Sequence, residues 1–290
     1  MWTYLWQNFL IDSKVRSYIA DKISSLYHEC GCEALIEIGP GKWSITKLIQ
    51  NISDNFFMID MDPTFHENWQ LTIDNWEFIL SDVLQLDVEK LLKEKKLHSE
   101  KTLIVGNLPY YITSPILRKF FWYGKQEYAG WVFMVQDEVG QKLKSDTKKK
   151  SYLWRLLNYA YDITYLKTVP AKCFKPAPKV KSCLIQLTTK NEQLTINRNT
   201  FVEFLELFAP FSRKTLGAIQ TMIDKRFAIK APAGHDKCAS RDKHWGMSRK
   251  IDKHWGMSRK WISEFIIPEV LKKKRLEELF WDDLVSILNP

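Results

Sequence analysis

The sequence predicts an α/β fold followed by a smaller α-helical domain, and three observations carry that expectation. Short apolar runs recur from residue 34 to residue 187, and several end in an acidic or amide residue, as buried strands of an open sheet do. A glycine turn, Gly39-Pro40-Gly41, joins the first run to helical spacing at Thr46-Lys47-Leu48-Ile49. Past about residue 192 the pattern changes, and Phe201, Phe204, Leu205 and Phe208 fall at helical spacing. The expected domains are therefore 1–192 and 193–290, the second carrying Arg213-Lys214 and an irregular insertion near 228–262.

Composition bounds the partners. Of the 290 residues 45% are hydrophobic, enough for a core. No run of 18 apolar residues spans a membrane, and the N-terminus lacks the basic and small-residue marks of a signal peptide. A cytoplasmic monomer is the expectation. Five cysteines are an odd number, so reduced thiols are expected. His235, Cys238, His244 and His254 lack ligand-pair spacing, and no metal is expected. The net charge of +9 favours an anionic partner, nucleic acid first. That charge is clumped at Lys142, Lys144, Lys148, Lys149 and Lys150, at Lys172, Lys175, Lys179 and Lys181, at Arg213 and Lys214, and from Lys272 to Arg275.

Taken in order, Asp12 or Ser13 caps a helix with Val15, Ile19, Ile23 and Leu26 on one face. Ala34 to Ile38 is the first buried strand. Glu37 just before the glycines, and Pro40 between them, argue against a pyrophosphate cradle and suit a ligand with a cationic end. Phe56 to Ile59 forms the second strand and ends at Asp60, where a ribose diol is held in such folds. Trp76 to Leu80 is the third, followed by Asp82, which can accept from an adenine amine. Leu103-Ile104-Val105 is the fourth, and it runs into Gly106-Asn107-Leu108-Pro109-Tyr110-Tyr111. Glu37, Asp60, Asp82 and Asn107 at four successive strand ends outline a site for a nucleoside with an amino-acid tail, S-adenosylmethionine. Asn107 offers an amide, Pro109 a carbonyl free to point into a site, and Tyr110 a flat face. Thr113-Ser114-Pro115 starts a helix. Trp131 to Gln136 is a fifth strand, and Asp137 to Leu143 leads into a basic loop through Lys150. Ile163 to Val169 and Lys181 to Leu187 are two more strands. The loop between them, Cys173 to Val180, is stiffened by Pro176 and Pro178, and Phe174 can stack on a base opposite Tyr110.

Together, Gln7-Asn8-Phe9-Leu10, Glu37-Ile38-Gly39-Pro40-Gly41, Asn107-Leu108-Pro109-Tyr110, Val135-Gln136-Asp137-Glu138-Val139 and the Phe174 to Ser182 segment resemble the ribosomal RNA adenine dimethyltransferase family. The resemblance spans residues 6–217 and, more weakly, 268–288. It implies a Rossmann-like class I methyltransferase domain with a mostly parallel seven-stranded sheet, a small C-terminal α-helical domain, and S-adenosylmethionine as donor. It also implies N6,N6-dimethylation of adenines in rRNA, on the small-subunit branch at two adjacent adenines near the 3′ end, within a pre-ribosomal particle. A large-subunit, antibiotic-resistance enzyme and a catalytically impaired assembly factor are the alternatives. Carried over, Asn8 and Leu10 close over the cofactor, while Gly39 and Gly41 approach its methionine end. Asp60 takes its ribose and Asp82 its adenine. Asn107, with Leu108 and Pro109, links cofactor to target, and Tyr110 and Phe174 clamp the base. Lys142, Lys148, Lys149, Lys150, Lys179, Arg213 and Lys214 are the expected RNA contacts.

Four tryptophans stand where the family pattern has glycine: Trp6, Trp43, Trp131 and Trp154. An indole at Trp43 is expected to block the methionine end. The chain holds 12 Trp against 11 Gly, an imbalance that favours one common cause. A source that decodes UGA as glycine, with UGA rendered as Trp in the translation, explains all four. A second oddity is the repeat of Asp242 to Lys250 at Asp252 to Lys260, read as a local duplication in an exposed basic insertion. The gene's codons test the first point: UGA is expected at positions 6, 43, 131 and 154, and UGG there refutes the idea.

Overall fold

The structure is a computed structural model and describes residues 8–67, 76–123, 128–144, 146–147, 150–190, 196–229 and 267–288. Trp6, Lys148, Lys149, the 242–260 repeat and residues 235, 238, 244 and 254 lie outside the described residues. So does most of the 228–262 insertion. The chain divides into two compact units, Met1–Leu194 and Thr195–Pro290. Among the described residues no helix is long and apolar enough to cross a membrane.

The first unit is built on a seven-stranded sheet in the order β4-β3-β2-β5-β6-β9-β7. Its members are β2 (Ala34–Ile38), β3 (Phe56–Asp60), β4 (Trp76–Leu80), β5 (Thr102–Asn107), β6 (Gly130–Gln136), β7 (Tyr161–Val169) and β9 (Ser182–Thr189). β4, β3, β2, β5 and β6 run parallel, and β9 alone runs antiparallel to its two neighbours β6 and β7, so β7 points the same way as the parallel set. This is the Rossmann-like α/β class expected. The central strands β2 and β5 are continuous apolar runs because helices cover both faces of a parallel sheet. α1 (Ser13–Glu29) buries Val15, Ile19, Ile23 and Leu26 in the core, and Asp12 caps it by accepting from the Val15 N–H at 2.9 Å. Residues 137–143, expected to lead into a loop, form α6 (Asp137–Leu143). Asp137 and Glu138 in its first turn complement the helix dipole, a signal the lysine run obscured.

At their carboxyl ends β2 and β5 leave no room for a side chain at Gly106. A side chain at Gly106 would place its Cβ 2.5 Å from the Ile38 carbonyl oxygen, so only glycine fits. The chain leaves β2 toward β3 and β4 on one side and leaves β5 toward β6 on the other. The crevice above this divergence is where open α/β sheets bind ligands.

The second unit contains α8 (Arg198–Phe208) and α9 (Leu216–Ile229), with a C-terminal helix over Trp281–Leu288. Phe201, Phe204, Leu205 and Phe208 are fully buried, as their spacing predicts. Asn197 caps α8 by accepting from the Asn199 and Thr200 N–H groups. Lys274 pairs with Asp283 at 2.9 Å.

Trp131 is wholly buried among Phe120, Phe121, Tyr128, Phe133 and Tyr161. Among the described residues its indole N–H finds no partner, which costs some of what the packing gains. Trp131→Gly is expected to lower unfolding stability by about 3–5 kcal/mol, because five aromatic neighbours cannot close the space. Urea titration measures it. A loss below about 1 kcal/mol would instead show a site that collapses around glycine.

Candidate active site

Above the β2–β5 divergence lies a cleft lined by Asn8, Leu10, Glu37, Gly39, Gly41, Asp60, Asp82, Asn107, Leu108, Pro109 and Tyr110. Every residue expected to hold the cofactor is there. Ser44, Met61, Phe65, Val83 and Tyr111 also line it, and sequence reasoning gave them no part.

Asn107 closes β5. Its side-chain amide donates to the Asn8 carbonyl at 3.2 Å. A carbonyl can only accept, so the nitrogen faces Asn8 and Oδ1 remains an acceptor. The next three residues make a turn. The Leu108 N–H donates to Met134 at 3.1 Å. The Pro109 carbonyl, expected to be free for substrate, accepts from the Ile112 N–H at 3.1 Å and the Thr113 hydroxyl at 3.2 Å. It serves the start of α5 (Thr113–Arg118), where unpaired N–H groups need acceptors. Among the described residues nothing donates to the Leu108 carbonyl. Tyr110 is half-buried and its hydroxyl shares a 2.6 Å hydrogen bond with Ser182, which fixes the ring. Burial raises its pKa, with the Ser182 bond opposing.

Three carboxylates face the cleft from adjoining strand ends. Glu37 is 2% exposed, and among the described residues its Oε2 has no hydrogen-bond partner. Burial pushes its carboxyl up to about 8; the Thr46 hydroxyl opposes this from outside hydrogen-bond geometry, and Asp60 adds to it. Asp60 accepts from the Asp62 N–H at 3.0 Å and from Gly41 at 3.4 Å, tying β3 to the glycine turn. Burial raises its pKa too, against those backbone bonds. Asp82 accepts from the Leu84 N–H at 2.9 Å.

Two expectations are corrected. Phe174 is 3% exposed, belongs to the core cluster with Leu10, Val15 and Ile19, and is not among the residues that line the cleft. The reason is a pairing the sequence hid: β1 (Phe9–Leu10) and β8 (Phe174–Lys175) form an antiparallel ribbon with Leu10 opposite Phe174. The Ile11 N–H extends it to the Cys173 carbonyl at 2.8 Å. Trp43 does not line the cleft either. Its indole turns onto Phe78, 5.6 Å between ring centroids. Its φ of 61° is nonetheless the left-handed region that glycine favours. Trp131 and Trp154 have no such backbone, and the Trp154 indole donates to the Lys144 carbonyl at 2.9 Å.

Of the expected RNA contacts, Lys142, Lys179, Arg213 and Lys214 are exposed. Lys142 pairs with Glu138 at 2.6 Å, and Lys150 lies 5.1 Å from the Trp154 ring centroid.

Comparison with known proteins decides the relationship. The sequence profile described as ribosomal RNA adenine dimethylase matches residues 3–232. The chain belongs to this family. A dimethylase-family relative, the ribosomal RNA small subunit methyltransferase A of Mesoplasma florum, is 36% identical over 220 residues, covering 72% of this chain and 79% of its own. The protein of the same name in Staphylococcus aureus strain N315 is 31% identical over 222 residues, covering 73% and 72%. A dimethyladenosine transferase from Plasmodium falciparum superposes with a TM-score of 0.64 at 18% identity, over 97% of this chain and 96% of that one. A 23S rRNA methyltransferase gives 0.58 at 18% identity, over 98% and 100%. At such identity the likeness shows the fold.

This dimethylase is an rRNA adenine methyltransferase with S-adenosylmethionine as methyl donor. The cleft fits that molecule. A buried carboxylate oxygen without a partner suits an ammonium, and Asp60 and Asp82 are acceptors for hydroxyls and an amine. The Glu37 carboxyl, held neutral to about 8 against an ordinary 4.5, adds stability at low pH that is lost as pH rises through about 8. An ammonium against Oε2 demands the ionised form. Affinity for S-adenosylmethionine is therefore expected to rise by up to about tenfold per pH unit from roughly pH 6 to 8, and Glu37→Gln to flatten the slope. Titration calorimetry checks this, and a flat wild-type profile would exclude the ion pair.

Proposed function

We propose that the chain dimethylates N6 of two adjacent adenines near the 3′ end of small-subunit rRNA, acting as a cytoplasmic monomer on a pre-ribosomal particle. The observation that carries the chemistry is Asn107, turned by the Asn8 carbonyl so that Oδ1 is left as an acceptor at the cleft floor. The target branch rests on the small-subunit relatives.

The N6 lone pair of adenine is delocalised into the ring, so the amine is a poor nucleophile. Acceptors that take its two hydrogens favour the pyramidal form. Asn107 Oδ1 is one. The Leu108 carbonyl is the second, since that of Pro109 is committed to α5. The Tyr110 ring supports the base, held by Ser182. S-adenosylmethionine supplies an electrophilic methyl on a sulfonium. Glu37 holds its ammonium, Gly39 and Gly41 let the backbone approach, Asp60 takes the ribose and Asp82 the adenine, with Asn8 and Leu10 closing over it. No strong general base is needed, because the amine becomes acidic only after transfer. The adenine must be unstacked to reach the cleft. Lys142, Lys150, Lys179, Arg213 and Lys214 supply phosphate contacts that position the RNA.

Methyl transfer from labelled donor to assembling small subunits is expected to yield dimethyladenine in their rRNA. Asn107→Ala should lower kcat/KM by roughly a hundredfold. Product on large-subunit RNA, or binding to small subunits without product, would sink the proposal.

A further inference from the structure

Lys119 does not line the cleft, but it is tied to residues that do. It follows α5, the helix that grows from the Asn107–Tyr111 turn, and it begins a π-helical turn over Lys119–Tyr123. A π-turn inside a helix is rare and tends to accompany function, because it re-aims side chains that regular helix would space evenly. Here it sets a lysine at the start of the widened turn. Its ammonium donates to the Val83 carbonyl at 2.7 Å and also to the Leu86 carbonyl.

Those two carbonyls belong to the turn after β4. The same turn carries Asp82, whose main-chain carbonyl accepts from the Gln85 N–H at 2.8 Å and the Leu86 N–H at 3.0 Å. The Asp82 carboxylate accepts from Leu84. Val83, 6% exposed, lines the cleft beside it. Within the turn the Leu84, Gln85 and Leu86 N–H groups are therefore taken up by Asp82, and two of its carbonyls accept from the ammonium. A charged donor shared by two carbonyls is a strong, directional brace.

We propose that Lys119 is a positioning residue that sets the Asp82–Leu86 turn, and through it the recognition of the cofactor's adenine amine. The inference rests on Asp82 accepting from that amine. The lysine is half-buried; desolvation presses its pKa down, and Asp82 and Asp87 hold it up. No carboxylate touches it closely enough to be an ion pair among the described residues, so its hydrogen bonds go to the backbone. That is the pattern of a group holding a loop in shape.

The adenine amine provides a readout that general stability does not move. S-adenosylhomocysteine and S-inosylhomocysteine differ in carrying an amine or an oxo group at that ring position, with the neighbouring N1 an acceptor in the first and an N–H donor in the second. Binding of both to the full-length protein is measured by calorimetry, with steady-state kinetics and thermal melts alongside. Lys119→Met, which keeps the aliphatic stem, is expected to weaken S-adenosylhomocysteine by about tenfold and to narrow the adenosyl-over-inosyl preference by a similar factor. It should raise the KM for S-adenosylmethionine while kcat at saturation stays within about twofold of wild type. Lys119→Arg, which retains the donors and the charge, should restore much of the preference. Lys119→Gln retains a neutral NH2 donor group and serves if the methionine variant does not fold. A substituted protein that keeps the wild-type preference and KM, losing only melting temperature, would overturn the proposal. Asp82→Ala, which removes the side-chain acceptor, separates the two readings. If it leaves the preference unchanged, Asp82 is not the amine's acceptor and the role of Lys119 falls with it. If it abolishes the preference but Lys119→Met and Lys119→Gln do not, only the role of Lys119 falls.

Discussion

The close approach of β2 and β5 at Gly106 is the constraint on which the site depends. A Cβ there would stand 2.5 Å from the Ile38 carbonyl, so any side chain would wedge the two central strands apart. Their carboxyl ends carry Gly39 on one strand and Asn107 on the other. Spreading the strands would move the glycine turn away from Asn107 and widen the cleft at its floor. A parallel sheet offers no hairpin to take up such a shift, because each strand is also registered to a further neighbour. The glycine therefore acts on geometry that other residues use.

Electrostatically the cleft is built against itself. Glu37, Asp60 and Asp82 gather on one wall, and burial raises the first two. A protein selected for stability alone would not keep an unpartnered buried carboxylate oxygen. The strain makes sense as preparation for a cationic, hydrogen-bond-rich ligand that relieves it on binding. The cost falls in the empty state and is recovered in the occupied one.

Much of this was legible in the sequence, for identifiable reasons. β2, β3 and β5 announced themselves because doubly covered strands are continuous apolar runs, the half-exposed edge strand β4 did so by its aromatic and aliphatic residues, and their ends were marked by Glu37, Asp60, Asp82 and Asn107. The helix over Ser13–Glu29 was marked by its stripe and cap. The β1–β8 ribbon was not legible, since two residues in each strand carry no period and their partners are over 160 positions apart. Phe174 was misplaced for that reason. An aromatic beside prolines looks alike whether it faces a ligand or a core. The Pro109 carbonyl was misjudged because main-chain acceptors leave no trace in side-chain identity. At Trp43 the residue type suggested obstruction, but the left-handed backbone turns the indole onto Phe78. Lys119 carried no signal at all, since its meaning lies in two carbonyls of a distant turn.

The ribbon also has a consequence for how the chain is made. β1 is the first described strand to leave the ribosome, but its partner β8 comes only at Phe174–Lys175. At roughly 5–20 residues per second, the interval is on the order of ten seconds. Until then the β1 edge has no partner to hold it. The Asn8 carbonyl that orients Asn107 immediately precedes that strand. The catalytic amide is thus set late in synthesis, after the central strands that carry it have all emerged.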